Sequence, residues 1–208
     1  MEEIQQPVTE FLHAFNFNKS RRTYNRKASD GMIHVVNFQV GRYPIGDYTI
    51  PGFRENLYGY FTINLGIFLP CVFEAEHGAM SKRVIQEYDC QIRERLGTLE
   101  TGQDSWWPLE ESPKQISSTI VNRLKKFAIP FFLNFTNYES VLSYYHTFDR
   151  LPFNPEGRSA LIAAIVCHNV GNTESASKLF DKAIGSSNNQ GFASYVEGIR
   201  KFCMNKDV

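Results

Sequence analysis

Apolar side chains recur every three or four positions in the first fifteen residues. This stripe lies on one face of a helix, opposite charged and amide side chains, and consists of Ile4, Val8, Phe11, Leu12 and Phe15. A proline at position 7 lies near the start, where a missing N–H does least harm. The pattern predicts an amphipathic helix over residues 2–15.

After this helix the apolar period changes from about four residues to two. "RTYNRK" and the run that ends at Val40 predict two strands joined by a turn at Ser29-Asp30-Gly31. A loop with two prolines and two glycines, residues 43–53, precedes a long strand in "LYGYFTINLGIFLP". "CQIRERLGTL" (90–99) alternates as a strand does, although good helix formers in 84–96 make helix the competing prediction. "SWWPL" (105–109) predicts a short last strand or an ordered loop.

Helix signals dominate from residue 112 onward. Ser112 with Gln115, and Thr136 with Glu139, have the spacing of capping boxes, and Pro130 should kink or end the first of these helices. Further helices are predicted from Asn154-Pro155 to Val170, over 173–185 and over 189–204. The fold class is therefore α+β, with an N-terminal helix on an antiparallel sheet. We expect an α+β domain over 1–130 and a helical region over 131–208 packed on it.

Amide side chains interrupt the two most apolar strands. Because successive side chains alternate across a strand, Asn37 and Gln39 share one face of the first, as do Thr62 and Asn64 of the second. If these strands are neighbours, Arg93 and Arg95 of the 90–99 segment fall on the same face. Two alternatives remain open: the face binds a carboxylate or other anion, or the C-terminal helices cover it and the amides pair internally.

Composition and charge narrow the function classes. Twenty-two basic residues balance 22 acidic residues, so no general attraction to nucleic acid or anionic membrane is expected. The longest apolar runs, such as 160–167, are shorter than the ~20 residues of a membrane span, and no secretory signal is visible. We therefore expect a soluble cytoplasmic protein with free, mostly buried thiols at its four cysteines.

Motifs for common chemistry are missing from the sequence. No Walker loop, G-x-G-x-x-G, G-x-S-x-G or H-E-x-x-H occurs, and "FEAEHG" (73–78) and Cys167-His168 lack the spacing of zinc frameworks. We therefore expect no cofactor and no metal. The basic stretch "KSRRTYNRK" (19–27) is more typical of a solvated edge strand than of a nucleic-acid site, so nucleic-acid binding is a less favoured alternative.

Two resemblances are visible. Gly171-Asn172 followed by Ala176, Phe180 and Ala183 resembles the loop and second helix of a tetratricopeptide repeat, without a second copy at that period. "RTYNR", "VVNFQVGR", "FTINLG", "CQIRERLG" and "WWPL" together resemble a bacterial family known only as domain of unknown function 4304, over residues 1–130. This resemblance implies an α+β fold and no established activity. Its pattern matches Asn37, Phe38, Gln39, Asn64, Leu65, Gly66, Cys90, Arg93, Arg95, Leu96, Gly97, Trp106 and Trp107.

The leading functional hypothesis is a non-catalytic protein-binding module, in an immunity or antitoxin-like role, with a toxin as one candidate partner. Adjacent Trp106 and Trp107 in an acidic stretch have the character of an interface anchor, although the alternative of one tryptophan in the core with its neighbour capping a helix is slightly favoured. The competing hypothesis is an enzyme or small-ligand binder that recognises an anion through Asn37, Gln39, Asn64 and Arg93.

Overall fold

A six-stranded antiparallel sheet organises the N-terminal part of the chain within residues 1–42, 57–79, 82–186 and 189–205, which a computed structural model describes. The predicted loop 43–53 lies outside these residues. The order along the sheet is β1 to β5, and β6 pairs with β4 beside β5. The strands are β1 Asn18–Ser20, β2 Thr23–Lys27, β3 Ile33–Val40, β4 Tyr60–Phe68, β5 Ile92–Arg95 and β6 Trp107–Pro108.

Helices precede, interrupt and follow the sheet, which confirms the α+β class. The helices of the N-terminal part are α1 Glu2–Ala14, α2 Pro70–His77, α3 Leu96–Thr101 and α4 Pro113–Arg123. The C-terminal helices are α5 Ile129–Leu133, α6 Tyr138–Phe148, α7 Glu156–Asn169, α8 Thr173–Gly185 and α9 Gln190–Asn205. None of the described helices is long and apolar enough to cross a membrane.

The pairing of β3 with β4 runs for eight residues and decides which side chains face the core. Val36 lies opposite Leu65 and Phe38 opposite Ile63, and all four are buried on one face of the sheet. The stripe Ile4, Val8 and Leu12 of α1 joins the same core cluster. Burial of such aliphatic side chains contributes about 1.5–3 kcal/mol each, so this contact holds α1 on the sheet.

The alternating pattern in 90–99 forms a strand as predicted, and the competing prediction of a helix over 84–96 is wrong, since α3 begins only at its last residue. The alternating "IRER" pairs with β4 as β5, and the chain turns into α3 at Leu96. Gly102, with φ of 74°, ends α3 in the left-handed region that favours glycine.

Two predicted capping boxes are wrong. Ser112 precedes α4 but makes no side-chain capping bond, and its backbone carbonyl accepts from Gln115 N at 3.0 Å instead. Helix α6 begins one residue later than Thr136 suggested, because Asn137 Oδ1 accepts from Ser140 N at 2.8 Å and Ser140 Oγ accepts from Asn137 N at 3.1 Å. A π-helical turn over Leu124–Ala128 separates α4 from α5, and Pro130 lies in the first turn of α5. The helix therefore does not end at Pro130, and a kink there stays a prediction.

One core cluster contains residues from both ends of the chain. Polar contacts add to it: Tyr138 N donates to Asp30 Oδ2 at 2.7 Å, and Asn154 Nδ2 donates to the carbonyl of Gln91 at 2.9 Å. The helical hairpin of α7 and α8 closes this region, and its tetratricopeptide-like residues Ala176, Phe180 and Ala183 are buried. The division at residue 130 stays a prediction.

All four cysteines are free thiols, and Cys90, Cys167 and Cys203 are buried while Cys71 is half-buried. Burial raises the pKa of Cys71 to about 11, which keeps it protonated near neutral pH. The expectation of free, mostly buried thiols is confirmed.

His34 joins the sheet to the C-terminal part. Its Nε2 lies 2.6 Å from the carbonyl oxygen of Phe135, and its Nδ1 lies 2.7 Å from Nη2 of Arg26. The ring stacks on Phe132 with centroids 4.9 Å apart. A neutral imidazole satisfies both contacts when Nε2 carries the proton, since a carbonyl only accepts and Arg26 only donates. Burial lowers the pKa of His34 to about 4.

We expect His34 to destabilise the fold in acid. Its folded-state pKa lies below the value of about 6.5 for an unfolded chain, so the unfolded state gains protons first and stability falls between pH 6.5 and 4. This shift corresponds to roughly 3 kcal/mol. In His34→Gln, the difference between the unfolding free energies at pH 7 and pH 4.5, measured in urea, should shrink by about 2 kcal/mol. The exposed His13→Gln is the control, and an unchanged difference in His34→Gln would contradict the assignment.

Candidate functional site

An open cleft of about 1260 Å³ lies over part of the sheet face that carries the amides. Asn37 of β3 stands opposite Asn64 of β4, which stands opposite Arg95 of β5. These pairings bring the predicted polar residues of three strands together on one floor. The described residues that line the cleft come from segments before residue 107, and none belongs to the C-terminal helices.

Hydrogen bonds between side chains order this floor. Asn64 Nδ2 donates to Gln39 Oε1 at 2.8 Å, and Asn37 Nδ2 donates to Thr23 Oγ1 at 2.9 Å. Thr23 in turn donates to Gln86 Oε1 at 2.8 Å. Gln39 is exposed and Asn37 is half-buried. The floor therefore presents amide groups in fixed positions at the bottom of an open cleft.

Segment 82–91 covers the other half of this sheet face. Ile85 and Cys90 form a small second core with Val35 and Phe68. Asn25 of β2 fixes the segment through both amide atoms, since Nδ2 donates to Ile85 O and Oδ1 accepts from Ile85 N, each at 2.9 Å. Gly66 permits the close approach because a Cβ there would lie 2.5 Å from Cys90 Sγ. The cover is thus segment 82–91, and the alternative in which the C-terminal helices cover this face is wrong.

The two predicted arginines differ in their contacts. Arg93 pairs with Glu87, lies 5.9 Å from the ring centre of Phe153, and does not line the cleft. Arg95 lines the cleft and pairs with Asp104. Its guanidinium carbon is 5.6 Å from the ring centre of Trp106.

Three arginines that the floor pattern missed also line the cleft: Arg21, Arg22 and Arg42. All are exposed, and among the described residues none has a carboxylate within ion-pair distance. Arg21 and Arg22 form the turn between β1 and β2, where Arg21 has φ of 56°. The basic stretch 19–27 is the sequence signal for Arg21 and Arg22, although it is more typical of an edge strand. Arg26 of that stretch instead contacts His34.

The adjacent tryptophans have different environments. Trp107 in β6 is buried, with its ring 5.7 Å from that of Phe61 and the guanidinium carbon of Arg123 5.4 Å from its centre. Trp106 is half-buried, lines the cleft and donates from Nε1 to Asp104 Oδ2 at 2.9 Å. Thr62 lies under the same loop and donates to the carbonyl of Ser105 at 2.8 Å. Asn37, Gln39, Asn64, Arg95 and Trp106 therefore line the cleft, whereas Thr62, Arg93 and Trp107 do not.

The cleft has the chemistry of anion recognition. Four arginines and two carboxylates line it, which leaves an excess of two positive charges among the described residues. Both carboxylates, Glu87 and Asp104, already accept from arginine. No histidine or cysteine belongs to the described lining, and no group of metal-ligating side chains was found in the described residues. The arrangement offers binding groups, and its described lining holds no nucleophile hydrogen-bonded to a basic side chain.

Comparison with known proteins gives a family and no activity. The sequence model of a family described as "Domain of unknown function (DUF4304)" matches residues 8–134, which is more than half of the 208 residues. No curated protein and no solved structure matches the chain. All the described residues that line the cleft lie within the matched range.

The close approach at Gly66 predicts a steric coupling with Cys90. Gly66→Ala should destabilise the protein by about 1–3 kcal/mol, the usual cost of overpacking, because the new methyl meets Sγ and Cβ of Cys90 at 2.5 and 2.9 Å. In urea unfolding, the double variant with Cys90→Ala should lose less stability than the sum of the single variants. Gly198→Ala in α9 is the control, since nothing lies within 4 Å of its added Cβ. Strictly additive losses would contradict the coupling.

Proposed function

Because the chain belongs to the DUF4304 family, whose description names no activity, we propose from the cleft that it is a non-catalytic protein that binds an acidic segment of a partner protein. The proposal rests on one observation: Arg21, Arg22 and Arg42 line the cleft without a carboxylate partner among the described residues. Guanidinium groups are planar donors that match carboxylates in two-point hydrogen bonds. A partner's aspartate or glutamate side chains would supply the missing charges.

The size and composition of the cleft favour a protein over a small molecule. Its volume of about 1260 Å³ exceeds the ~300–1,000 Å³ typical of small-ligand pockets. Arginine, tyrosine and tryptophan are enriched in interface hot spots, and the lining combines its arginines with Tyr88 and Trp106. Tyr88 is 70% exposed, so its ring is available for contact with a partner.

Nucleic acid is a weaker match. Glu87 and Asp104 lie among the arginines and would repel a continuous phosphate backbone, although both are paired in the free protein. The whole chain has no net charge, whereas nucleic-acid-binding domains are usually basic. A protein surface with carboxylates among neutral side chains fits this mixture better.

Asp104 shows that donors in this cleft can bind a carboxylate, here one of the same chain. Its Oδ2 accepts from the guanidinium of Arg95 and from the indole N–H of Trp106. The same two donors would suit a single carboxylate of a small ligand, which makes small-ligand binding at this cleft the second candidate. An immunity or antitoxin-like role is a narrower form of the first proposal, with a toxin as the acidic partner.

Replacing the three unpaired arginines by neutral residues should weaken the binding of an acidic peptide. We expect a fluorescent octaglutamate peptide to bind the wild-type protein and to lose at least tenfold in affinity with Arg21→Gln, Arg22→Gln and Arg42→Gln combined, measured by anisotropy. The matched control neutralises three exposed lysines outside the cleft, Lys114, Lys125 and Lys201. Equal losses of affinity in both triple variants would contradict the proposal, because net charge alone would then explain the binding. Tighter binding of an eight-residue oligothymidine would favour nucleic acid instead.

Removing the internal carboxylate should strengthen the same binding. Asp104→Asn releases Arg95 while keeping a side chain of the same shape, so the guanidinium becomes available to the octaglutamate. We expect affinity to rise several-fold at low salt, and the rise to disappear when Arg95→Gln is added. Glu110→Gln, an exposed carboxylate outside the described cleft lining, controls for the change in net charge. Unchanged affinity in Asp104→Asn would show that Arg95 takes no part.

A further inference from the structure

A second cavity, of about 360 Å³, lies on the other side of β5 between the sheet edge and the helices that follow it. Strand alternation explains its chemistry: Arg93 and Arg95 point toward the amide face, and Glu94 between them stands opposite the core residue Leu65. Glu94 therefore lies in a cavity whose walls combine apolar side chains with Lys126, Asn134 and Tyr144. Among the residues that line it are Glu94, Lys126, Phe127, Phe131, Tyr144 and Pro152.

The carboxylate of Glu94 has no cationic partner. Its Oε1 accepts from the backbone N–H of Arg95 at 2.9 Å, and no cationic nitrogen of the described residues lies within ion-pair distance. The residue is half-buried, and burial raises the pKa of the carboxyl group. Neighbouring carboxylates differ, because Glu87, Glu100 and Asp104 each pair with an arginine. An uncompensated carboxylate in such surroundings attracts a cation.

Aromatic rings in the cavity wall would also attract such a cation. Phe127, Phe131 and Tyr144 contribute to the walls, and ring faces attract a guanidinium or ammonium group within about 6 Å. The chain already shows one such contact, since Lys126 Nζ lies 5.1 Å from the ring centre of Phe127. Lys126 is exposed and does not pair with Glu94, so the carboxylate stays available.

Exposed apolar side chains neighbour the cavity. The ring of Phe148 lies 4.6 Å from that of Tyr144 and is 61% exposed. Leu133 and Phe153, 62% and 72% exposed, are the chain neighbours of the cavity residues Asn134 and Pro152. Large exposed apolar groups around a concave site are typical of protein interfaces and unnecessary for a small free cation.

We propose that this cavity receives an arginine side chain of a protein partner, with the guanidinium on Glu94 and apolar flanking residues on Phe148. Arginine suits the site better than lysine, because its planar group stacks on aromatic rings while it donates two hydrogen bonds to a carboxylate. The site shares no lining residue with the basic cleft, so it does not depend on the function proposed for the cleft.

The test uses blocked tripeptides and amide chemical shifts. Acetyl-Leu-Arg-Leu-amide should perturb the signals of Glu94, Leu99 and Tyr144 in the full-length protein. It should bind at least tenfold more tightly than the same peptide with citrulline, which is the neutral isostere of arginine. Glu94→Gln should reduce the affinity for the arginine peptide to that of the citrulline peptide. This variant keeps an oxygen for the Arg95 N–H, and its unfolding curve verifies the fold.

Controls separate this site from general effects of charge. Glu139→Gln removes an exposed carboxylate on α6 outside the described cavity lining and should leave the affinity unchanged. Phe148→Ala should lower the affinity for the arginine peptide more than the affinity for agmatine, because agmatine lacks flanking residues. Equal binding of the arginine and citrulline peptides, wild-type affinity in Glu94→Gln, or shifts centred elsewhere would overturn the proposal. So would agmatine or a lysine peptide that binds as tightly as the arginine peptide.

Discussion

The register between β3 and β4 is the constraint on which the other features depend. Eight consecutive residue pairs hold these strands together, from Ile33 opposite Phe68 to Val40 opposite Phe61. A slip of one residue would move every side chain of one strand to the other face. The register therefore places the apolar side chains under α1 and α4 and, by the same geometry, gathers the amides on the opposite face.

Coverage of that opposite face is uneven, and this unevenness creates the cleft. Segment 82–91 packs Ile85 and Cys90 against one half, where Gly66 leaves room for Cys90. The other half carries Asn37, Gln39 and Asn64, where polar side chains pair with one another and with Thr23. An amide floor under a cover would need a partner for every polar atom, whereas at the bottom of an open cleft water and ligands can supply them.

Strand β5 connects the two candidate sites. Its sequence "IRER" places two arginines on the cleft side and one glutamate on the core side. The arginines receive carboxylate partners from nearby segments, Glu87 and Asp104, while Glu94 receives none. One short edge strand thus contributes charges of opposite sign to two separate surfaces. Such an arrangement permits a partner that uses either surface, and the two differ in the side chains they attract.

The sequence by itself determined the features that depend on local periodicity. The period of two placed Asn37, Gln39, Thr62 and Asn64 on one face, and the period of 3.6 identified α1 and the C-terminal helices, because both periods are properties of the backbone. Cap positions were less reliable, since Ser140 at the start of α6 competes with Glu139 for the same role.

Only the tertiary structure decided which of these faces stays open. Thr62 and Asn64 are equivalent in the strand pattern, yet Thr62 lies under the loop of Ser105 while Asn64 lines the cleft. Arg21 and Arg22 precede β2 and Arg42 follows β3, and the antiparallel pairing of these strands brings all three to the cleft. Coverage depends on contacts between residues far apart in the chain, such as Asn25 with Ile85 and Thr62 with Ser105, and steric fit at single positions such as Gly66 permits those contacts.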